Sequence, residues 1–171
     1  IFEKSYYNEN NLVFGNSKSK NKLVVFTDPF CPACISFIGK DLIHNEKELL
    51  KNNVAVYFYS IPVVSNKLNE TLIKSSILNK LKNKTSTDFK MYQEIASNNF
   101  LSDINNKEDL INKFNKVFST KYNLKDLEIK EVTDIYKNNL LIADKISLKG
   151  TPTVFYNDLF DMSKSKYLKG E

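Results

Sequence analysis

The stretch DPFCPAC, residues 28–34, holds both cysteines of the chain, Cys31 and Cys34, with only Pro32 and Ala33 between them. Two thiols at this spacing can serve three kinds of chemistry. One can attack a disulfide while the other resolves the product, both can ligate half of a metal site, or both can be small buried hydrophobes. Structural zinc needs four ligands, and the chain offers two cysteines and a single histidine, His44. Three such ligands cannot close a structural site, so no metal is expected. Burial as plain hydrophobes fits poorly with a position at a strand-to-helix corner, and that placement makes Cys31 an exposed attacker.

The corner is read from the flanking residues. KLVVF, residues 22–26, is a short apolar, β-branched and aromatic run bounded by polar residues, which predicts a buried strand. From Pro32 onward Cys34, Ile35, Phe37, Ile38, Leu42, Leu49 and Leu50 recur at helical intervals, with Gly39 a candidate kink. Proline suits the first helical turn, where its missing N–H costs nothing. Cys31 therefore falls at a helix N-terminus, whose unpaired N–H groups favour a thiolate, and Cys34 one turn inside. VAVYFYSIPVV, residues 54–64, supplies a second strand ended by Pro62, completing a βαβ unit with parallel pairing.

Ahead of this unit, NLVF at 11–14 could add a strand before the turn GNSKSKNK. Beyond it, residues 66–147 show only helical periodicity, in four segments around Leu68–Leu81, Phe89–Ala96, Leu110–Phe118 and Leu124–Ala143. Asn106 followed by Asp109 reads as a helix start and Gly150 as a helix stop. TPTVFYND then predicts a strand and an Asn-Asp turn, with LFDMSKSKYLKG supplying the returning strand. No sequence is left for a helix across the sheet after that strand.

The 171 residues suit one domain with an insertion, at 42% apolar and 26% charged residues. The net charge of +5 comes from lysine alone, since the chain has no arginine, and the lysines are scattered among asparagines and acids. That is a solvated surface rather than the clustered basic face of a nucleic-acid binder, so no nucleic-acid partner is expected. No run approaches the roughly 18 apolar residues of a membrane span. The chain opens on Ile1 and reads as a mature or trimmed form whose export signal has been removed.

A C-x-x-C pair at the start of a helix inside a βαβ unit carries a strong redox signal. With these features the sequence resembles the thioredoxin superfamily, and within it the bacterial envelope Dsb proteins. FTDPFCPAC looks closest to the DsbC and DsbG isomerases and reductases, whereas GNSKSKNKLVVF and KGTPTVFY look equally like DsbA-type oxidases. The resemblance implies an α/β thioredoxin fold with an inserted helical domain between the βαβ unit and a cis-proline hairpin. The corresponding division is 1–65 for the N-terminal part, 66–123 for the helical insertion and 124–171 for the C-terminal part. It also implies that Pro152 is the cis proline facing the cysteines, and that Thr151 offers its backbone to an extended substrate segment. Phe30, directly before Cys31, would be partly exposed and pack against an apolar substrate.

Two departures from the family pattern bear on mechanism. A buried acid commonly stands six residues before the first cysteine, and Val25 stands there in this chain. Proton transfer at Cys34 would then use water or Asp28, which otherwise reads as a turn residue. DsbA-type proteins place a histidine before the second cysteine, whereas Ala33 offers neither donor nor charge, so Pro32 and Ala33 together predict a gentler oxidant. His44, three turns into the helix, reads as a packing or surface residue. The sequons Asn69-Glu70-Thr71 and Asn83-Lys84-Thr85 arise by chance in so asparagine-rich a chain.

The sequence thus predicts a thiol–disulfide oxidoreductase acting through Cys31 and Cys34 on unfolded or reduced proteins in the periplasm or another extracytoplasmic envelope compartment. It needs no cofactor, and a membrane redox partner resets the pair. A dithiol oxidase is the first reading; an isomerase or reductase domain of a longer chain and a non-catalytic peptide-binding module stay open. Whether it acts as a monomer or dimer is also open.

Overall fold

The computed structural model describes residues 1–83 and 87–170. The sequon Asn83-Lys84-Thr85 runs outside the described residues. Five strands form one sheet in the order β1-β3-β2-β4-β5, with β1 at Leu12–Phe14, β2 at Asn21–Thr27, β3 at Val54–Ser60, β4 at Thr153–Tyr156 and β5 at Leu159–Phe160. β2 pairs in parallel with β3 and antiparallel with β4, so the strand that leads into the cysteines lies at the centre. Every one of β3's seven residues is buried, as expected of a strand covered on both faces. β3 stops at Ser60, before the Ile61-Pro62 pair, so its pairing ends earlier than the apolar run does.

Alternation along the central strands sorts side chains to two faces. Leu23 and Val25 of β2, Val54, Val56 and Phe58 of β3, and Val154 and Tyr156 of β4 share one buried cluster with Cys31 and Cys34. Val24, Phe26, Tyr57, Tyr59 and Phe155 point the other way, where Phe2 and α6 (Lys130–Lys145) cover them through Ile142 and Ala143. Phe2 is fully buried among the rings of Tyr6, Tyr7, Phe26, Tyr59 and Phe155.

The helices α3 (Asn69–Asn83), α4 (Asp88–Ser97) and α5 (Lys107–Phe118) come between β3 and α6. Leu72, Met91, Tyr92, Leu110 and Phe114 from these helices lie in the same cluster as the sheet residues around the cysteines, so residues 66–123 share a core with the sheet. Asn106 caps α5 by accepting from the Asp109 N–H, while Asp109 accepts from the Asn105 N–H. α6 ends at Lys145, and the left-handed residue beyond it is Ser147 at φ +53°, so the stop falls three residues before Gly150. After β5 the chain makes a single turn at Lys166–Leu168, where buried Tyr167 receives a hydrogen bond from Asn45 and, at its carbonyl, one from Asn52.

The helix after the cysteines is not uniform. α1 (Pro32–Ser36) widens into a π-helical turn at Phe37–Leu42, and a further α-helical segment, α2, covers Glu46–Lys51. Gly39 lies in the wide turn, where a Cβ would sit 2.8 Å from both the Tyr92 carbonyl oxygen and the Ala96 Cβ of α4. Its absent side chain is what lets α4 lie directly on the cysteine-bearing helix. At the far edge, β5 is only two residues long and leaves Leu159 and Phe160 exposed.

Gly39→Ala tests this contact. Overpacking of about 1–3 kcal/mol outweighs the roughly 0.5–1 kcal/mol that alanine gains over glycine in a helix. The variant is expected to unfold at lower urea concentration than the parent; equal or greater stability would show that α4 can move away freely.

Candidate active site

β2 delivers Thr27 and Asp28 to the end of the sheet, and the chain turns there into α1. Asp28 is fully buried. Its Oδ1 accepts from the Phe30 N–H at 2.9 Å, and its Oδ2 accepts from the N–H groups of Val63 and Val64 at 2.7 and 2.8 Å and from Asn69 Nδ2 at 3.2 Å. Its carbonyl accepts from the Cys31 N–H. The carboxylate thus has its acceptor positions filled by loop donors and works as a structural tie. The passage of protons suggested by its proximity to Cys34 has no bond from this carboxylate to either thiol among the described contacts.

Cys31 occupies the N-cap position of α1 with an extended backbone, Pro32 follows at the first helical position, and the Cys31 carbonyl accepts from the Ile35 N–H. Serine and aspartate favour that position because their oxygens meet the N–H groups of the next turn, and a thiolate can do the same. Cys31 is only 8% exposed, less open than its corner placement implied, because the Thr151 carbonyl lies 3.6 Å from its sulfur. Cys34, one turn on, is fully buried. Both are free thiols, and the dipeptide between them, Pro32 and Ala33, faces solvent.

Thr151 and Pro152 stand across from the pair, and the peptide between them is cis. Thr151 Oγ1 is buried and meets no oxygen or nitrogen partner among the described residues, so the two cysteine sulfurs are what its hydroxyl serves. Phe30 is half-buried against the core beneath the site. Two grooves flank α1. One of about 440 Å³ is lined by Ala33, Asp41, Asn45, Pro152, Ser163 and Lys164, and the other, about 470 Å³, by Pro32, Ile35, Lys40, Ile95 and Leu101.

The two thiols are driven apart electrostatically. Partial burial pushes Cys31 up, but the Thr151 hydroxyl, the Cys34 N–H and thiol and the Ala33 N–H together outweigh it and bring Cys31 below the ordinary 9.0. For Cys34 deeper burial wins, pushing the thiol up to about 11 although Thr151, the Asp28 backbone and Thr27 pull the other way. His44, on the same helical stretch, is exposed and takes no part in these contacts. Val25 sits in the cluster that holds both cysteines and brings no charge to it.

Sequence reasoning passed over two residues here, Thr27 and Tyr92. Thr27 is two positions beyond Val25 and so points to the same face, a signal the alternation of β2 already carried. Tyr92 lies 65 positions away on α4, where its spacing marked only a core position.

A family model described as thioredoxin matches residues 7–166. The chain belongs to the thioredoxin family. Solved structures agree on the fold. A thioredoxin-like oxidoreductase from Silicibacter pomeroyi has a TM-score of 0.70 at 17% identity, over 96% of this chain and 92% of that one. BdbD from Bacillus subtilis, in its oxidised form, has a TM-score of 0.66 at 17% identity, over 93% and 88% of the two chains. A periplasmic thioredoxin-like protein from Salmonella enterica serovar Typhimurium has a TM-score of 0.67 at 18% identity, over 94% and 88%. No curated protein matches the chain by sequence. In this thioredoxin-family chain the Cys31–Cys34 pair therefore sits on a sheet and helix arrangement common to all three.

Two measurements follow from the geometry. Asp28→Ala strands four donors, each costing about 1–3 kcal/mol when buried without a partner, so a loss on the order of 3–5 kcal/mol is expected after partial relaxation. Asp28→Asn, which keeps one acceptor oxygen, should lose less; equal losses in urea titrations would contradict the tie. Thiolate absorbance of the reduced protein should rise in two steps, one below pH 9 and one near pH 11, and Cys31→Ser should remove the first. Since folding lowers Cys31, that group adds stability as pH rises towards 9, whereas Cys34, raised on folding, takes stability away between about 9 and 11.

Proposed function

We propose that the chain is a dithiol–disulfide oxidoreductase that introduces disulfides into reduced or unfolded proteins outside the cytoplasm. The observation that carries this reading is the split between the two thiols: Cys31 is stabilised as a thiolate at the mouth of the site, and Cys34 is held as a thiol behind it. A stabilised thiolate is a good leaving group, and stabilising the reduced form makes the pair more oxidising.

In that direction a substrate thiolate attacks Cys31 of the Cys31–Cys34 disulfide. The S–S bond breaks, Cys34 leaves and takes up a proton, and a mixed disulfide joins Cys31 to the substrate. A second substrate thiolate attacks the substrate's own sulfur in that bond and expels Cys31 as the stabilised thiolate. The substrate loses two electrons and the pair gains them, and a membrane redox partner takes them away. Thr151 and Pro152, facing the sulfur, would hold the substrate backbone extended, with Phe30 beside it and the grooves along α1 taking its flanks. The names of the similar structures, one an oxidoreductase and another periplasmic, support the reaction class and the compartment.

Ala33 adds no donor of its own beyond its N–H, so the pair is expected to be less oxidising than DsbA, whose potential is about −120 mV. Equilibration with glutathione buffers measures this, and a value at or above DsbA's would reject the role given to Ala33. The oxidised protein should form disulfides in a reduced, unfolded test protein, and Cys31→Ser should abolish that. Reduction of insulin that outpaces oxidation would assign the reductase direction, and activity unaffected by Cys31→Ser would leave only a peptide-binding role.

A further inference from the structure

Behind Cys34 lies a buried pair of hydroxyls. Thr27 and Tyr92 are both fully buried, and Thr27 Oγ1 and Tyr92 Oη lie 2.5 Å apart. Tyr92 is held in place by an edge-on contact with Phe58 and by the close seating of α4 on Gly39. Its hydroxyl has no hydrogen-bond partner other than Thr27 among the described residues. A buried phenol O–H left unpaired is costly, so the phenol proton must go to Thr27 Oγ1. That assignment fixes the rest. Thr27 accepts from Tyr92, and its own proton is left for another acceptor; Thr27 shares the face of β2 that carries Val25, where Cys34 and Tyr92 lie in one buried cluster, and its pull on the Cys34 thiol singles out that sulfur.

We propose that Thr27 donates a hydrogen bond to the Cys34 sulfur and that Tyr92, acting through Thr27, is the positioning residue that fixes the direction of that donation. This rests on the dithiol reading above and adds to it the groups that govern the second thiol. With Val25 where a charged acceptor could stand, the resolving cysteine is served by a polarised chain of two neutral hydroxyls. The chain takes no proton itself; it stabilises the Cys34 thiolate once the proton has left for solvent. Burial keeps Tyr92 protonated, and a Cys34 charge beside it acts in the same sense, so the donor stays a donor throughout the reaction.

The consequence falls on one step. A mixed disulfide at Cys31 is released when the Cys34 thiolate attacks Cys31 Sγ. Cys34 ionises far above neutral pH, so its thiolate fraction limits that attack. Losing the donor cuts the fraction, and the higher nucleophilicity of the remaining thiolate offsets about threefold of each tenfold loss. The net slowing is about three- to tenfold.

Stopped-flow mixing of the reduced 171-residue chain with the aromatic disulfide dithiobis(nitrobenzoate) reads this directly. The Cys31 thiolate attacks first, forming a mixed disulfide and releasing one thionitrobenzoate. Cys34 then loses its proton to the buffer and attacks Cys31 Sγ, closing the Cys31–Cys34 disulfide and releasing the second thionitrobenzoate. Thr27→Val and Tyr92→Phe are both expected to leave the first release unchanged, to slow the second about three- to tenfold, and to move its pH profile upward. Thr27→Ser should restore the second rate, and the double variant should be no slower than Thr27→Val. A second release as fast as wild type in Thr27→Val and Tyr92→Phe overturns the proposal, as does an equal slowing of both releases, which a merely loosened core would give. If the wild type itself releases one equivalent, like Cys34→Ser, the dithiol reading falls and takes this proposal with it.

Discussion

A carboxylate sealed from water must find hydrogen-bond donors within the protein, and Asp28 finds its four on three separate segments. The Phe30 N–H belongs to the cysteine loop, Val63 and Val64 to the exit from β3, and Asn69 to the start of α3. One side chain therefore fixes the distance between the end of the central strand, the first turn of α1 and the first helix beyond the sheet. The neighbouring Thr27 carbonyl extends the tie by accepting from the Ile61 N–H. Cys31 inherits its place from this arrangement, since its N–H bonds the Asp28 carbonyl and its sulfur is left at the N-cap, where a negative atom is favoured.

That constraint explains how so small a site produces two unlike thiols. Cys31 and Cys34 are three residues apart, yet one faces the N–H groups of its own helical turn and the other faces the core. The polar atoms available to each are different. Cys31 has backbone donors and Thr151, just ahead of β4; Cys34 shares its buried cluster with Tyr92 of α4, whose hydroxyl bonds Thr27 of β2. The helices between β3 and β4 contribute directly, because α4 brings Tyr92 to the back of the site and does so only because Gly39 offers no side chain to hold it off.

Much of this was legible in the sequence. The apolar runs located β2 and β3, the cysteine spacing placed two thiols side by side at the start of a helix, and Asn106 marked a helix start that the fold keeps. These are local signals, set by neighbours within a few residues. What could not be read depends on contacts across the chain. Asp28 read as a turn residue, and its bond to the Phe30 N–H bears that out, but its other three partners lie 35 to 41 positions further on and left no local mark. Tyr92 looked like an ordinary core ring, and α6 ends at Lys145 because the left-handed Ser147 just beyond it turns the chain before Gly150 is reached. The π-helical turn after α1 carries no sequence mark beyond Gly39, and Cys31 is more enclosed than its corner position suggested because Thr151 arrives from the segment leading into β4, remote in sequence.

The short outer strands have a consequence of a different kind. β5 exposes just two residues of unpaired edge, and at the opposite side β1 is three residues long with a break in its register. A long flat edge recruits further strands from any extended chain that reaches it. A protein proposed to handle unfolded polypeptides meets many such chains, and both ends of this sheet are too short and too irregular to template them. Under the proposed function, extended backbone would be received beside the cysteines without the sheet itself becoming a seed for aggregation.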